Sequence, residues 1–255
     1  MIRVENLSFS YDKERKILEN INISIKKGEV VSLLGPNGSG KSTLLKCVNS
    51  LLRPAEGNVY INGKAVSSMK RHETARHVSY VPQEHRTSFP YTVLDVVLLG
   101  RVPYIGLFST PKSEDVEKCI ELLDSIGISH LGDRIYTQIS GGERKMCLIA
   151  RALCSESDVL LLDEPTSNLD IKHQTEVLRI IKKLSQDKGL TVVMTLHDPN
   201  LAMLIADKAI LLKDGKIVFE GDVKDIITRE NIEYVYGCQV QSISQNNLNF
   251  ICPQI

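Results

Sequence analysis

Apolar positions along the chain change period several times, and each change predicts an element. Ile21, Ile23 and Ile25 alternate with Asn22 and Ser24, the period of a strand with one covered face. The run Val30-Val31-Ser32-Leu33-Leu34 lacks that alternation and predicts a strand covered on both faces. A Gly-rich turn follows, then a helix from Lys41 to Ser50. Val59 and Ile61 before Asn62-Gly63 predict a hairpin, and Val78 to Val81 a short strand stopped by Pro82.

From about Thr87 to Cys154 the period turns helical. Thr92 is expected to cap a helix through Leu99. Ser113 is expected to cap another, with Glu114 and Asp115 in its first turn and Val116, Ile120, Leu123 and Ile126 on one face. Gly127 stops it. Alternation of strand and helix then resumes: a buried strand over Val159 to Leu162, a helix over Ile171 to Leu184, and a buried strand over Thr191 to Leu196. A hairpin from Ile210 to Glu220 turns at Asp214-Gly215. Residues 239–255 carry no charge and predict a terminal strand pair. The expected fold class is α/β, with an antiparallel β part and a helical block at about 87–154 inserted into one α/β core.

Composition narrows the function classes. A length of 255 residues allows one or two domains. Lys+Arg 31 balances Asp+Glu 31, which argues against a nucleic-acid coat protein. No stretch approaches the ~20 apolar residues that span a bilayer. The start at Met1 enters alternation directly and has no apolar signal segment. The six cysteines form no CxxC pair, so reduced structural thiols in a cytosolic protein are expected, Cys147 and Cys154 among them.

Chemistry enters with Gly35-Pro36-Asn37-Gly38-Ser39-Gly40-Lys41-Ser42, which matches G-x-x-x-x-G-K-[ST] between a buried strand and a helix. Glycines let backbone N–H groups converge on one point, and the helix N-terminus adds positive potential. Lys41 can then reach phosphate oxygens, and the Ser42 hydroxyl can ligate Mg²⁺. The apolar strand Val159–Leu162 ends in Asp163-Glu164. Asp163 is placed to hold Mg²⁺ through its water shell, and Glu164 points elsewhere and can polarise an attacking water. Ser140-Gly141-Gly142-Glu143 opens a further helix and reads either as a second anion nest or as a plain N-cap. Two nests for one γ-phosphate suggest two chains meeting head to tail.

Together these three motifs resemble the nucleotide-binding subunit of ABC transporters, a likeness covering residues 1–225 and leaving a tail at 226–255. The resemblance implies a P-loop NTPase core of the ABC ATPase type, with ATP and Mg²⁺ as cofactors and Thr43 in the Walker A set. It implies further roles. Tyr11 would stack on adenine, and Gln83 would sense Mg²⁺ and the attacking water. Asp170 would act across a homodimer, and His197 would contact the γ-phosphate. Ser140, Gly141, Gly142 and Glu143 would cover the nucleotide bound to a partner chain.

The segments from Thr92 to Arg101, Ser167 to Gln174 and His197 to Ala202 are similar to importers of iron chelates, haem or cobalamin. Ile139, where Leu is usual, and Lys145-Met146, where Gln-Arg is common, depart from the signature pattern. The resemblance implies integral-membrane permease subunits as partners, indirectly an extracytoplasmic substrate-binding protein, and a peripheral place on the cytoplasmic face. Of the apolar residues Val93, Val96, Val97, Tyr104 and Phe108, only part is expected in the permease contact, Tyr104 and Phe108 first, with others packing the block's own small core. The alternative is a soluble ABC ATPase in cofactor assembly. His72, His77 and His85 lack metal-ligand spacing, and Lys64, Lys70, Arg71 and Arg76 read as a solvated basic face.

Overall fold

Side-chain parity along the strands decides the layers in this computed structural model, which describes residues 1–12, 15–83, 89–106, 109–245 and 248–254. β1 (Ile2–Ser10) and β2 (Lys16–Ile25) are joined by β4 (Glu56–Ile61) and β5 (Lys64–Ala65) in an antiparallel sheet of order β2-β1-β4-β5. Between them in sequence lie β3 (Val30–Leu34), with every residue buried, and α1 (Lys41–Val48). The hairpin between β4 and β5 turns at Asn62 and Gly63, with φ of 51° and 79°. That left-handed pair is what an Asn-Gly turn supplies.

α2 (Arg71–His77) leads into β6 (Val78–Val81). α3 (Val93–Leu98), α4 (Ser113–Ser125) and α5 (Gly141–Cys154) separate β6 from β7 (Val159–Leu162). α6 (Ile171–Lys188), β8 (Thr191–Thr195), α7 (Pro199–Ile205), β9 (Lys208–Lys213) and β10 (Lys216–Asp222) follow. The second sheet has the order β10-β9-β3-β8-β7-β6, parallel except for the β9–β10 hairpin. The chain ends with α8 (Val223–Ile226), α9 (Arg229–Tyr236) and the antiparallel pair β11 (Val240–Gln245) and β12 (Leu248–Pro253). This is the expected mixed α/β class, with both the antiparallel part and the terminal strand pair.

The parallel strands send alternate residues into two cores. Val31, Leu33, Val159, Leu161, Val193 and Leu212 pack with α1 and the antiparallel sheet. Val30, Leu34, Leu160, Leu162, Val192 and Met194 pack with α3 to α9 on the other face. The helices between β6 and β7 therefore share one continuous core with the sheet. Among their ties is Arg101, whose Nε donates to Asp115 Oδ1 at 2.9 Å and whose Nη1 donates to Cys154 O at 3.0 Å and Glu156 Oε2 at 2.8 Å.

Several local expectations need correcting. The cap of α4 is Lys112, one residue before Ser113, because the Asp115 carboxylate accepts from the Lys112 N–H at 3.2 Å. Ile120 is exposed, since the buried stripe of α4 runs through Cys119 and Leu123. α6 continues past Leu184 to Lys188 and stops at the left-handed Gly189. Val93, Val96 and Val97 are buried in the shared core, as expected for the part of the apolar set that packs the block itself. Phe108 and His85 lie outside the described residues. Cys147 and Cys154 are buried thiols as expected, and Cys154 Sγ lies 2.7 Å from Cys119 Sγ.

Candidate nucleotide site

Strand parity also assembles the site. Residues of odd number on β7 face α1, so the next odd residue, Asp163, faces α1 as well. Thr195 follows Val193 by two on β8, and Tyr80 follows Val78 by two on β6, so both reach the same row. The contacts agree with that placement. Asp163 Oδ1 accepts from Ser42 Oγ at 2.9 Å and from Thr195 Oγ1 at 2.9 Å, and its Oδ2 accepts from Tyr80 Oη at 3.1 Å. Burial, reinforced by the Asp163 charge, pushes the Tyr80 phenol well above its usual range, so it stays a donor.

The loop before α1 needs two of its glycines for reasons of space. Gly35 has φ 147°, and a Cβ there would stand 2.1 Å from the Leu212 carbonyl oxygen. Gly40 has φ 105°, and a Cβ would meet Leu18 Cδ2 at 2.6 Å. Lys41 is buried, and its ammonium donates to the carbonyls of Gly35 at 2.7 Å and Pro36 at 3.0 Å. Burial pulls its pKa down, opposed by the charges of Glu164 and Asp163. No carboxylate pairs with it among the described residues. A buried cation held only by loop carbonyls, beside backbone N–H groups at a helix start, fits a polyphosphate. The Ser42 hydroxyl and Asp163 carboxylate are hard oxygen donors that fit Mg²⁺. Tyr11, largely exposed, meets the first turn of α1: its hydroxyl lies 3.3 Å from Thr43 Oγ1, and its ring packs edge-on to Phe9.

Glu164 is turned away from the strand parity by a left-handed φ of 48°. Its N–H donates to Thr195 Oγ1 at 2.7 Å. Its carboxylate takes Gln83 Nε2 at 2.6 Å on one oxygen and His197 Nε2 at 2.6 Å on the other. Residues far apart in sequence thus converge on one acid.

Ser140 to Glu143 do not join this cluster. Ser140 caps α5, accepting from Glu143 N–H at 3.3 Å, while Glu143 Oε2 accepts from Ser140 N–H at 2.7 Å. That reciprocal box leaves Ser140 and Gly141 exposed, and among the described residues no hydrogen bond links them to 35–43. Asp170 caps α6, accepting from His173 N–H at 2.9 Å, and holds His173 Nδ1 at 2.8 Å. The His173 ring covers Gly142, where a Cβ would come within 2.6 Å of it.

Lys145 is the residue whose placement the sequence did not convey. From α5 its buried ammonium donates to Gln83 O at 3.1 Å and Glu164 O at 3.4 Å. Burial lowers its pKa, opposed by Asp163 and Glu164. The available signal was its departure from the Gln common at that position.

Residues 18–167 match the ABC transporter family. The chain is 43% identical over 253 residues to the ABC transporter ATP-binding protein MJ0089 of Methanocaldococcus jannaschii, covering 99% of this chain and 98% of that one. It is 39% identical to the molybdate import ATP-binding protein MolC of Haemophilus influenzae, over 92% of this chain and 87% of that one. It is 38% identical to the ferric enterobactin transport ATP-binding protein FepC of Escherichia coli, over 95% and 89%. Among solved structures, a transporter described as of the metal-chelate type, inward-facing, aligns with TM-score 0.87 at 36% identity over 100% of this chain and 97% of that one. The dimeric cassette MJ0796 aligns with TM-score 0.78 at 33% identity over 88% and 99%. The motifs, the cassette fold and these likenesses agree: the chain belongs to the ABC transporter family, as an ATP-hydrolysing, ATP-binding subunit.

Proposed function

We propose that the chain binds ATP with Mg²⁺ at the Lys41 loop, closes on a second copy, and drives uptake of an iron complex, haem or cobalamin through a separate permease. The observation that carries this reading is the Glu164 carboxylate, held on both oxygens by Gln83 and His197 beside the loop.

Lys41 and the N–H groups opening α1 hold the phosphates, with Tyr11 placed for the base. Ser42, Asp163 and Gln83 would hold Mg²⁺. When bound, the ion supplies charge neutralisation on the phosphate oxygens. Glu164 takes the proton of an attacking water, and Gln83 and His197 fix its direction. Tyr80 and Thr195 hold the Asp163 carboxylate and Gln83 and His197 that of Glu164, while Thr195 also takes the Glu164 N–H and so fixes the two acids relative to each other.

The exposed Ser140-Gly141 nest, set apart from its own loop, is what a head-to-tail homodimer would use, with Asp170 near the same face. The 226–255 segment belongs with the 1–225 ATPase domain rather than standing apart, since α9 and β12 contribute Ile232, Val235 and Ile251 to the shared core. No helix among the described residues is long and apolar enough to cross a membrane. Membrane attachment at the cytoplasmic face therefore falls to partners.

A groove of about 1070 Å³ between α2 and the turn after α3 is lined by Arg71, Tyr91, Leu99, Val102, Tyr104 and Ile105. Leu99, Val102 and Tyr104 are exposed apolar surface of the kind a permease helix would cover. Reconstitution with the co-purifying permease in vesicles tests the cargo. ATP-dependent uptake of an iron chelate, haem or cobalamin is expected. Transport of a sugar or amino acid instead would refute the cargo class, and failure to associate with any membrane protein would refute the transport role.

A further inference from the structure

The C-terminal segment reaches back to the nucleotide loop. At the end of α9, the Tyr236 hydroxyl accepts the Gly35 N–H at 3.0 Å. Gly35 is wedged there, with the Leu212 carbonyl on the side where a Cβ would be. The Gly35 carbonyl is an acceptor of the Lys41 ammonium. One residue, Gly35, thus connects α9 through its N–H to the phosphate-facing lysine through its carbonyl. The terminal hairpin makes a second tie, to the helix after His197. Asn200 Nδ2 donates to Ile251 O at 3.0 Å, and Ile251 N–H donates to Asn200 Oδ1 at 2.8 Å. Ile232, Val235, Val240 and Ile251 are buried beneath these bonds.

We infer that the C-terminal segment serves the nucleotide site through two contacts, with Tyr236 the positioning residue for the first turn of the loop and the Asn200–Ile251 pair the fastening for the His197 helix. The inference rests on the Lys41 loop being the nucleotide site. Its physical content is preorganisation: a loop fixed before nucleotide arrives does not have to be ordered by it. Removing the Tyr236 hydroxyl leaves the Gly35 N–H without its acceptor and transfers the ordering cost to binding. The ring itself still fills its place.

Tyr234 provides a matched control on the same helix. Its ring is exposed, lies 4.3 Å from the Lys213 ammonium and packs edge-on to Phe219, and its hydroxyl makes no hydrogen bond among the described residues. Tyr234→Phe removes the same atom without touching the loop.

The test is equilibrium binding of Mg-ATP, with kcat and KM measured on the same preparations of the full chain. Tyr236→Phe is expected to raise Kd and KM about fivefold, the worth of one hydrogen bond, with kcat nearly unchanged. Hydrogen exchange in the 34–40 segment should also quicken. Tyr234→Phe should alter none of these. Asn200→Ala, which frees the hairpin from the helix after His197, should lower kcat more than it changes Kd. A Kd for Tyr236→Phe indistinguishable from that of Tyr234→Phe, with unchanged exchange, overturns the inference. Lys41→Ala separates the two levels. If it loses ATP while Tyr236→Phe does not, only the inference falls. If it too binds normally, the nucleotide reading fails and the inference with it.

Discussion

His197 Nε2 stands 2.6 Å from Glu164 Oε1, although 32 residues of chain, the complete helix α6 among them, lie between the two. The contact exists because β7 and β8 are parallel neighbours whose carboxyl ends open on one side. If His197 orients Glu164, His197→Ala should cut ATP turnover by at least ~10-fold while leaving the Kd for Mg-ATP within about twofold. Steady-state kinetics alongside equilibrium binding checks the split.

Arg101 is the buried hub of the helical block, with its side chain 7% exposed and its charge shared between Asp115 and Glu156. Arg101→Met leaves the Asp115 carboxylate, 14% exposed, without its cation. A loss of about 3 kcal/mol of unfolding free energy is expected, since removing one partner of a buried pair strands the other. Urea denaturation measures it.

The same pair sets an acid dependence. The hydrogen bond from Arg101 holds the Asp115 carboxyl below its ordinary value of 3.8. A carboxyl whose folded pKa is depressed contributes stability that is present above its unfolded pKa and lost as pH falls through its folded one. Melting temperature should therefore drop below about pH 4 more steeply in the wild type than in Asp115→Asn. Parallel curves for the two would contradict the assignment.

Gly100 sits where the turn after α3 crosses α5, and a Cβ there would lie 2.1 Å from the Arg151 carbonyl oxygen. Backbone cannot yield as a flexible side chain can. Gly100→Ala should destabilise by about 1–3 kcal/mol, read from the same urea titration. Gly142→Ala meets first the His173 ring, which can swing aside, so its cost should be smaller and should include release of Asp170.

If each pocket is shared between chains, the pairing of lesions matters. A tethered dimer with Ser140→Arg on one chain and Lys41→Ala on the other places both lesions in one pocket and should bind one ATP per dimer. Both lesions on a single chain should damage both pockets. Equal stoichiometry in the two arrangements would rule out the shared pocket.

Much of the site was legible because its motifs are local. The loop at 35–42, the acids after Val159–Leu162 and the cap at Ser140 each announce themselves within about eight residues, and strand parity then predicts that Asp163 faces α1. What was not legible depends on contacts between distant segments. Nothing near Tyr236 in sequence says that its hydroxyl meets Gly35. Nor does anything near Lys145 in sequence say that its ammonium meets the Gln83 and Glu164 carbonyls. The Val93, Val96 and Val97 face was correctly apolar, but periodicity cannot say whether a helix is covered by its own chain or by another. α2, α7 and α9 are seven or eight residues long and held mainly by tertiary packing, which leaves too little periodicity to find.

The central claim is that Lys41 binds nucleotide and Glu164 performs the chemistry. Lys41→Ala and Glu164→Gln, compared by filter binding of Mg-ATP and by phosphate release, test it most directly. The expected result is weakened binding in Lys41→Ala, and retained binding with turnover lowered by ~10²-fold or more in Glu164→Gln. Equal loss of nucleotide binding in both variants would contradict the division of roles.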